Sequence, residues 1–95
     1  MTAKVSLSTH ILLEIKADLA DGFRDLQKIL SRLSRYGCEI WDEHYRREPN
    51  RRGEWAYRSA VILCWVPREN YQPLATSLGK LDTVHAVSIK TIAYF

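Results

Sequence analysis

Cysteine and histidine residues are the first candidates for chemistry in this chain of 95 residues. Cys38 and Cys64 stand far apart in sequence, without the C-x-x-C spacing of redox or zinc motifs. A pair of thiols at these positions could be a redox pair or half of a metal site, but small apolar core fillers are the more common role of free cysteines. His10, His44 and His85 are scattered, whereas a metal site needs several ligands to converge. We therefore expect no metal and no cofactor.

Arginine residues form a second group, around a turn rich in Pro, Asn and Gly. These are Arg46, Arg47, Arg51 and Arg52. They could grip phosphate groups. The acidic residues Glu43, Glu48 and Glu54 are interleaved with them, which favours a solvated loop instead.

Catalytic signatures are absent from the sequence. There is no Ser-His-Asp arrangement, nucleophile elbow or phosphate-binding loop. The carboxylates Glu39, Asp42, Glu43 and Glu48 are close in sequence, but strand alternation would divide them between two faces. The residues therefore predict a protein that is not an enzyme.

Length and composition set the scale of the fold. The whole chain, residues 1–95, predicts a single domain, with residues 1–9 as a loose lead-in. Its hydrophobic content of 46% is that of a globular protein, and its net charge of +3 is only mildly basic. Two cysteines are too few for a disulfide scaffold, and no apolar run reaches the roughly 20 residues of a membrane span. We expect a cytoplasmic protein without membrane insertion; a fragment of a longer chain stays open.

The elements needed to position these residues follow from periodicity. Alternating apolar residues predict a strand over His10–Ala17, and an apolar stripe predicts a helix from the Asp18–Gly22 turn to about Tyr36, capped by Asp18 or Asp21 and ended by Gly37. Two long strands around Asn50–Gly53 form a hairpin, a helix capped by Asn70 follows, and a strand covers Val84–Tyr94. The order is βαββαβ. It predicts an α+β, ferredoxin-like fold, with a four-stranded antiparallel sheet and two helices on one face.

The hairpin has a predicted register that sets which side chains face the helices. Folding it about its turn places Trp41 near Val61, Tyr45 near Tyr57, and Cys38 near Cys64. The predicted helix-side core is Ile11, Leu13, Ile15, Ile40, Ala60, Ile62, Cys64, Val87 and Ile89. The opposite face would carry Leu12, Glu14, Trp41, Glu43, Tyr45, Trp55, Tyr57, Val61, Leu63 and Trp65.

Such an apolar open face usually marks an interface. We expect a homodimer through Trp41, Tyr45, Trp55, Tyr57, Val61 and Leu63. A neighbouring domain, or the chain ends folding back, are the alternative covers.

The segments HILLEIKA, ADLADG, FRDLQKILSRL, YGCEI and LGKLDTVHAVSI together resemble the ACT domain, a small regulatory module. The resemblance covers nearly the whole chain. It implies a dimer that binds a small effector, such as an amino acid, near the first strand–helix turn. On this basis Asp18, Asp21 and Gly22 would be ligand-binding residues. Cytosolic tails of magnesium-transport accessory membrane proteins carry a similar module.

The segment RGEWAY, residues 52–57, is similar to the third strand of the RNA recognition motif with one residue inserted. That resemblance implies that Trp55 and Tyr57 stack single-stranded RNA bases on the open face. RNA binding is therefore the alternative function.

Overall fold

A computed structural model describes residues 9–90 and confirms the predicted order of elements. Residues 1–8 and 91–95 lie outside the described residues, and with them most of the predicted lead-in and the end of the predicted last strand. The strands are β1 (His10–Asp18), β2 (Glu39–Pro49), β3 (Trp55–Pro67) and β4 (Val84–Ile89), and the helices are α1 (Phe23–Arg35) and α2 (Arg68–Gly79).

The four strands form one antiparallel sheet in the order β2-β3-β1-β4. The alternating residues Leu13, Ile15 and Ala17 of β1 lie opposite Cys64, Ile62 and Ala60 of β3. All six are buried, together with Leu26, Ile29 and Leu33 of α1 and Leu74 and Leu78 of α2. Both helices therefore cover the same face of the sheet, and the ferredoxin-like fold is confirmed.

The start of α1 differs from the predicted capping. Neither Asp18 nor Asp21 caps it, because Gly22 is the N-cap residue and no side chain bonds there. Instead the buried Asp25 of the first turn reaches back and accepts the backbone N–H of Asp21 at 2.6 Å. Gly37 ends the helix as predicted, with a φ of 70° that favours glycine.

Helix α2 starts two residues before the predicted cap, directly after Pro67, so the prediction that Asn70 caps it is wrong. The Asn70 side-chain amide donates instead to the Tyr36 carbonyl at 2.9 Å. This bond ties the end of α1 to the start of α2, which lie side by side because the two helices are antiparallel.

Two residues of the predicted core are exposed. Ile40 on β2 is 40% exposed and Ile89 on β4 is 55% exposed. Both belong to outer strands, where neighbouring strands cover only one side. Leu19, which follows β1, is fully buried and takes a core position that was not predicted.

The predicted hairpin register is wrong, because β2 and β3 pair with two irregularities. One lies between Ile40 and Asp42, and the other between Arg46 and Arg47. Tyr45 consequently lies opposite Ala60, and Val61 lies opposite His44 rather than beside Trp41. Each irregularity shifts the pairing by one residue, which moves side chains between the two faces.

Candidate functional site

The shifted register moves three predicted interface residues off the open face. Tyr45 shares the face of the buried Ala60, and both Tyr45 and Tyr57 pack against the core. The Tyr57 ring lies 5.4 Å from that of Tyr45 and 6.5 Å from that of Phe23 at the start of α1. Trp55 pairs with Pro49 and, by alternation, shares the face of Tyr57 near the hairpin end. Their predicted placement on the open face is wrong.

Glu43 moves with them, since it lies opposite the buried Ile62. The Tyr45 hydroxyl donates to the Glu43 carboxylate at 2.7 Å. Burial, followed by this hydrogen bond to a charged acceptor, raises the pKa of Tyr45. The pair belongs to the helix side of the sheet and leaves the open face.

The open face keeps a smaller apolar patch. We use the name open-face patch for Trp41, Val61, Leu63 and Trp65. The rings of Trp41 and Trp65 lie 6.2 Å apart, and Trp41 is 58% exposed whereas the other three are half-buried. Leu12, also predicted here, is only 4% exposed. Less apolar surface is therefore available than the sequence predicts.

Several charged residues around this patch are paired. Glu14 lies 3.3 Å from the Lys90 ammonium and 3.9 Å from that of Lys16. At the β2 edge, the His44 ring lies 2.9 Å from the Asp42 carboxylate. These pairs leave no excess of one sign around the patch.

The predicted ligand-binding residues separate into two places. Asp21 and Gly22 line a cleft of about 530 Å³ between the β1–α1 turn and the β2–β3 turn. Asp18 does not line this cleft; its carboxylate lies 3.0 Å from the ring of His85 on β4. The structure thus brings together two of the three residues.

Arginine side chains line the cleft opposite Asp21. Arg51 and Arg52 come from the β2–β3 turn, and Arg58 comes from β3. The turn has a defined shape, because the Asn50 side-chain oxygen accepts the backbone N–H of Arg52 at 2.9 Å and of Glu54 at 3.0 Å. The Asp21 carboxylate also pairs with the Arg24 guanidinium at 3.6 Å. Because three arginines and one aspartate line the cleft, it carries net positive charge.

Aromatic rings complete the walls of the cleft. Phe23 and Tyr57 both line it, and the Arg47 guanidinium lies 5.4 Å from the centre of the Tyr57 ring. A small molecule here would meet a carboxylate, several guanidinium groups and an apolar wall. That combination fits a zwitterion, since a carboxylate ligand pairs with arginine and an ammonium group pairs with aspartate.

The two cysteines are neighbours, as the sequence predicts. Both are free thiols; Cys64 is buried and Cys38 is half-buried. The Cys64 thiol hydrogen-bonds to the Cys38 sulfur, which lowers the pKa of Cys38 and raises that of Cys64. Within residues 9–90, no cluster of His, Cys, Asp and Glu could hold a metal ion. No helix in that range has the length and apolar character of a membrane span.

Comparison with known structures shows the fold. An ACT domain of GTP pyrophosphokinase from Chlorobium tepidum aligns with 86% of this chain and 97% of its own length, at 12% identity and a TM-score of 0.58. The chain has an ACT-like ferredoxin fold. The C-terminal domain of the MgtC protein from Mycobacterium tuberculosis aligns over 92% of both chains, at 12% identity and a TM-score of 0.51.

A protein of unknown function from Galdieria sulphuraria aligns with 98% of this chain, at 13% identity and a TM-score of 0.64. This chain spans 55% of the length of that protein. No protein-family model and no curated protein matches the sequence. At these identities the likeness shows the fold alone.

Sequence reasoning missed the meeting of the hairpin arginines with the β1–α1 turn. The predicted topology contained this information, because β1 ends and β3 begins at the same end of the antiparallel β1–β3 pair. The loops that follow β1 and precede β3 must therefore be neighbours. The predicted position of Tyr57 on the open face is wrong for a related reason, because its ring packs against Phe23 at the start of α1.

Proposed function

We propose that this chain is a non-catalytic regulatory domain that forms a homodimer through its open sheet face and binds a small effector in the cleft at the β1–α1 turn. The exposed open-face patch is the observation that carries the proposal. Apolar surface removed from water gains about 25 cal/mol per Å². Tryptophan is also the residue type that most often dominates interface energies.

A second copy of the chain is the favoured partner for this face. Glu14 and Asp42 of this face are already paired with nearby cations, so a strongly basic partner would gain little from them. The β2 edge is unsuited to strand addition, because the irregular pairing and the charged residues Arg46, Arg47 and Glu48 interrupt it. Face-to-face packing of two sheets avoids that edge and buries both Trp41 side chains.

Trp41→Glu tests the dimer, with Trp55→Glu as a matched control. Both tryptophans are similarly exposed, at 58% and 64%, but only Trp41 belongs to the open-face patch. We expect sedimentation velocity across a wide concentration range to show a dimer for the wild type and Trp55→Glu, and a folded monomer for Trp41→Glu, as judged by circular dichroism. A monomeric wild type, or a dimer that survives Trp41→Glu, would contradict the proposed interface.

The effector is best described as a free amino acid. Asp21 supplies an acceptor for its ammonium group, and Arg51 or Arg52 supplies a donor for its carboxylate. The exposed Phe23 and half-buried Tyr57 offer contact for its side chain. This arrangement supports Asp21 and Gly22 as site residues and gives Asp18 no direct part. The two free thiols suit a reducing compartment such as the cytoplasm.

Backbone amide NMR with the standard amino acids, tested one at a time, examines the cleft. We expect saturable shifts at Asp21, Gly22 and Arg51, and binding about tenfold weaker in Arg51→Ala because a charge-assisted hydrogen bond is lost. Arg46→Ala is the control, since its guanidinium pairs with Glu48 at 3.1 Å and does not line the cleft. Absence of any saturable shift would remove the effector from the proposal and leave the dimer intact.

A further inference from the structure

A second groove lies on the opposite side of the molecule from the open sheet face, between α1 and α2. It has a volume of about 670 Å³. Arg32 and Arg35 line it from the last turn of α1, Gln72, Thr76 and Ser77 line it from α2, and Lys80 lines it from the position directly after α2. The antiparallel helices hold these two rows of side chains facing each other, and the bond from Asn70 to Tyr36 fixes the spacing at one end.

The groove is positively charged throughout. It has three cationic side chains, and no aspartate or glutamate lines it. Within the described part of the chain, Arg32, Arg35 and Lys80 take part in none of the ion pairs. By contrast, Arg24 and Lys28, on earlier turns of α1, pair with Asp21 and Asp25.

Arg32 carries a buried donor that has no acceptor. Its Nε is inaccessible to solvent, and no hydrogen-bond partner lies within reach in residues 9–90. Buried polar groups are almost always paired, and an orphan one marks a place for an ordered water, an ion or a ligand atom. An acceptor atom in the groove would satisfy this N–H once the Arg32 side chain turns its Nε toward the groove.

Helix dipoles explain only part of the arrangement. Cations in the last turn of a helix are favourable, and Arg32 and Arg35 occupy that position on α1. Exposed cations would gain this stabilisation without converging. The dipole of α2 favours Lys80 in the same way, since Lys80 is the C-cap residue of that helix. The dipoles leave the Arg32 Nε without an acceptor, and they do not explain why hydroxyl and amide groups line the same groove.

We propose that the groove between α1 and α2 binds a small molecule that carries two or more linked phosphate groups. Two guanidinium groups and one ammonium group suit a ligand with several negative charges, because arginine binds phosphate oxygens through paired donors. The Thr76 and Ser77 hydroxyls and the Gln72 amide add neutral donors along the same groove. A single phosphate would fill only part of its length.

Inorganic pyrophosphate is the probe for this site. We expect one saturable set of backbone amide shifts, centred on Arg32, Arg35, Thr76 and Lys80, with tighter binding than for inorganic phosphate. Arg32→Ala should weaken pyrophosphate binding about tenfold or more, since a charge-assisted hydrogen bond is lost. Arg32→Lys keeps the charge but lacks the Nε donor, so it should also bind less tightly than the wild type.

Arg24→Ala is the matched control, because it removes an exposed arginine from the same helix outside the groove and should leave binding unchanged. Should Arg32→Ala fail to fold, Lys80→Ala tests the same groove from α2 and should also weaken binding. Equal losses in Arg24→Ala and Arg32→Ala, or no saturable shift at all, would overturn the proposal.

Lipid headgroups offer similar chemistry, so vesicles of phosphatidylglycerol and phosphatidylcholine form a separate arm. Co-sedimentation with these vesicles that is lost in Arg32→Ala and Lys80→Ala, without saturable binding of pyrophosphate, would assign the groove to a membrane surface and overturn the small-molecule proposal. Neither arm depends on the dimer or on the amino acid cleft. Their failure is therefore distinguishable from failure of the proposed function.

Discussion

The open sheet face and the helix side of this molecule differ in how their charges are satisfied. On the open face, Glu14 is held by two lysines, and Asp42 by His44. On the helix side, Arg32, Arg35 and Lys80 line one groove without a carboxylate. The first surface is apolar with balanced charge, and the second is polar with charge of one sign.

This difference indicates different partners. A surface whose ions are already paired has little to gain from a charged ligand, but its tryptophans gain from burial against another protein. A groove of unpaired cations gains little from an apolar partner and much from an anion. Under the two proposals, assembly and anion binding would use opposite sides of one sheet.

Neighbouring residues on β3 give the sharpest test of the two faces. Ile62 is fully buried on the helix side, and Leu63 lies half-buried in the open-face patch. In the Trp41→Glu background, which we expect to be monomeric, Ile62→Ala should lower the free energy of unfolding by about 2–5 kcal/mol. Leu63→Ala should lower it by about 1 kcal/mol or less, because less apolar area is lost from the monomer. Urea unfolding followed by circular dichroism measures both.

For self-association of the otherwise wild-type chain, a change at Leu63 should have a larger effect than a change at Ile62. Leu63→Ala should weaken the dimer, whereas a conservative Ile62→Val change, costing about 0.5–1.5 kcal/mol in stability, should leave it unchanged. Analytical ultracentrifugation provides the dimer dissociation constants. If both substitutions affected the fold and the dimer alike, the assignment of the two faces would be wrong.

The sequence predicts the order of elements because each element carries its own periodic signal. Leu26, Ile29 and Leu33 recur at helical spacing, Leu13 and Ile15 alternate on β1, and Gly37 marks the end of α1. Such local patterns, combined with the few topologies open to βαββαβ, are enough to predict the fold.

The hairpin register was not predictable in the same way. Strict alternation assigns Tyr45, Trp55 and Tyr57 to the open face, but the two irregularities in the β2–β3 pairing reverse that assignment. Nothing in the local sequence marks these positions, since neither Trp41 nor Arg58 is a glycine or proline. Packing of Tyr57 against Phe23 at the start of α1 is a tertiary contact, and it is consistent with the shifted pairing.

Only part of each candidate site was predictable from the sequence, because tertiary packing brings the remaining residues together. The resemblance to ACT domains nominated the β1–α1 turn, and Asp21 and Gly22 do line a cleft there. The arginines that give that cleft its charge come from the β2–β3 turn and from β3, about 30 or more positions later in the chain. Likewise Arg32 and Lys80 each look like ordinary surface cations in sequence, and only the packing of α1 on α2 brings them to one groove.

Removing the unsatisfied donor of Arg32 should raise the stability of the fold, by less than Ile62→Ala lowers it. Arg32→Met keeps much of the aliphatic length of the side chain, removes one of three like charges and eliminates a buried N–H without an acceptor. In the absence of anion we expect the free energy of unfolding to rise by about 0.5–2 kcal/mol, as for other substitutions that relieve a functional strain. Urea unfolding provides the measurement, with Arg24→Met as the control that leaves the groove intact.

With pyrophosphate bound, the wild type should become more stable than Arg32→Met. A ligand that binds only the folded state stabilises it in proportion to the logarithm of its concentration over the dissociation constant, so the wild type should gain stability while Arg32→Met gains little. The two unfolding curves should therefore cross as pyrophosphate is added. If Arg32→Met were less stable without anion, the guanidinium would already have adequate partners within the fold, and the contrast between a satisfied sheet face and an unsatisfied helix groove would not hold.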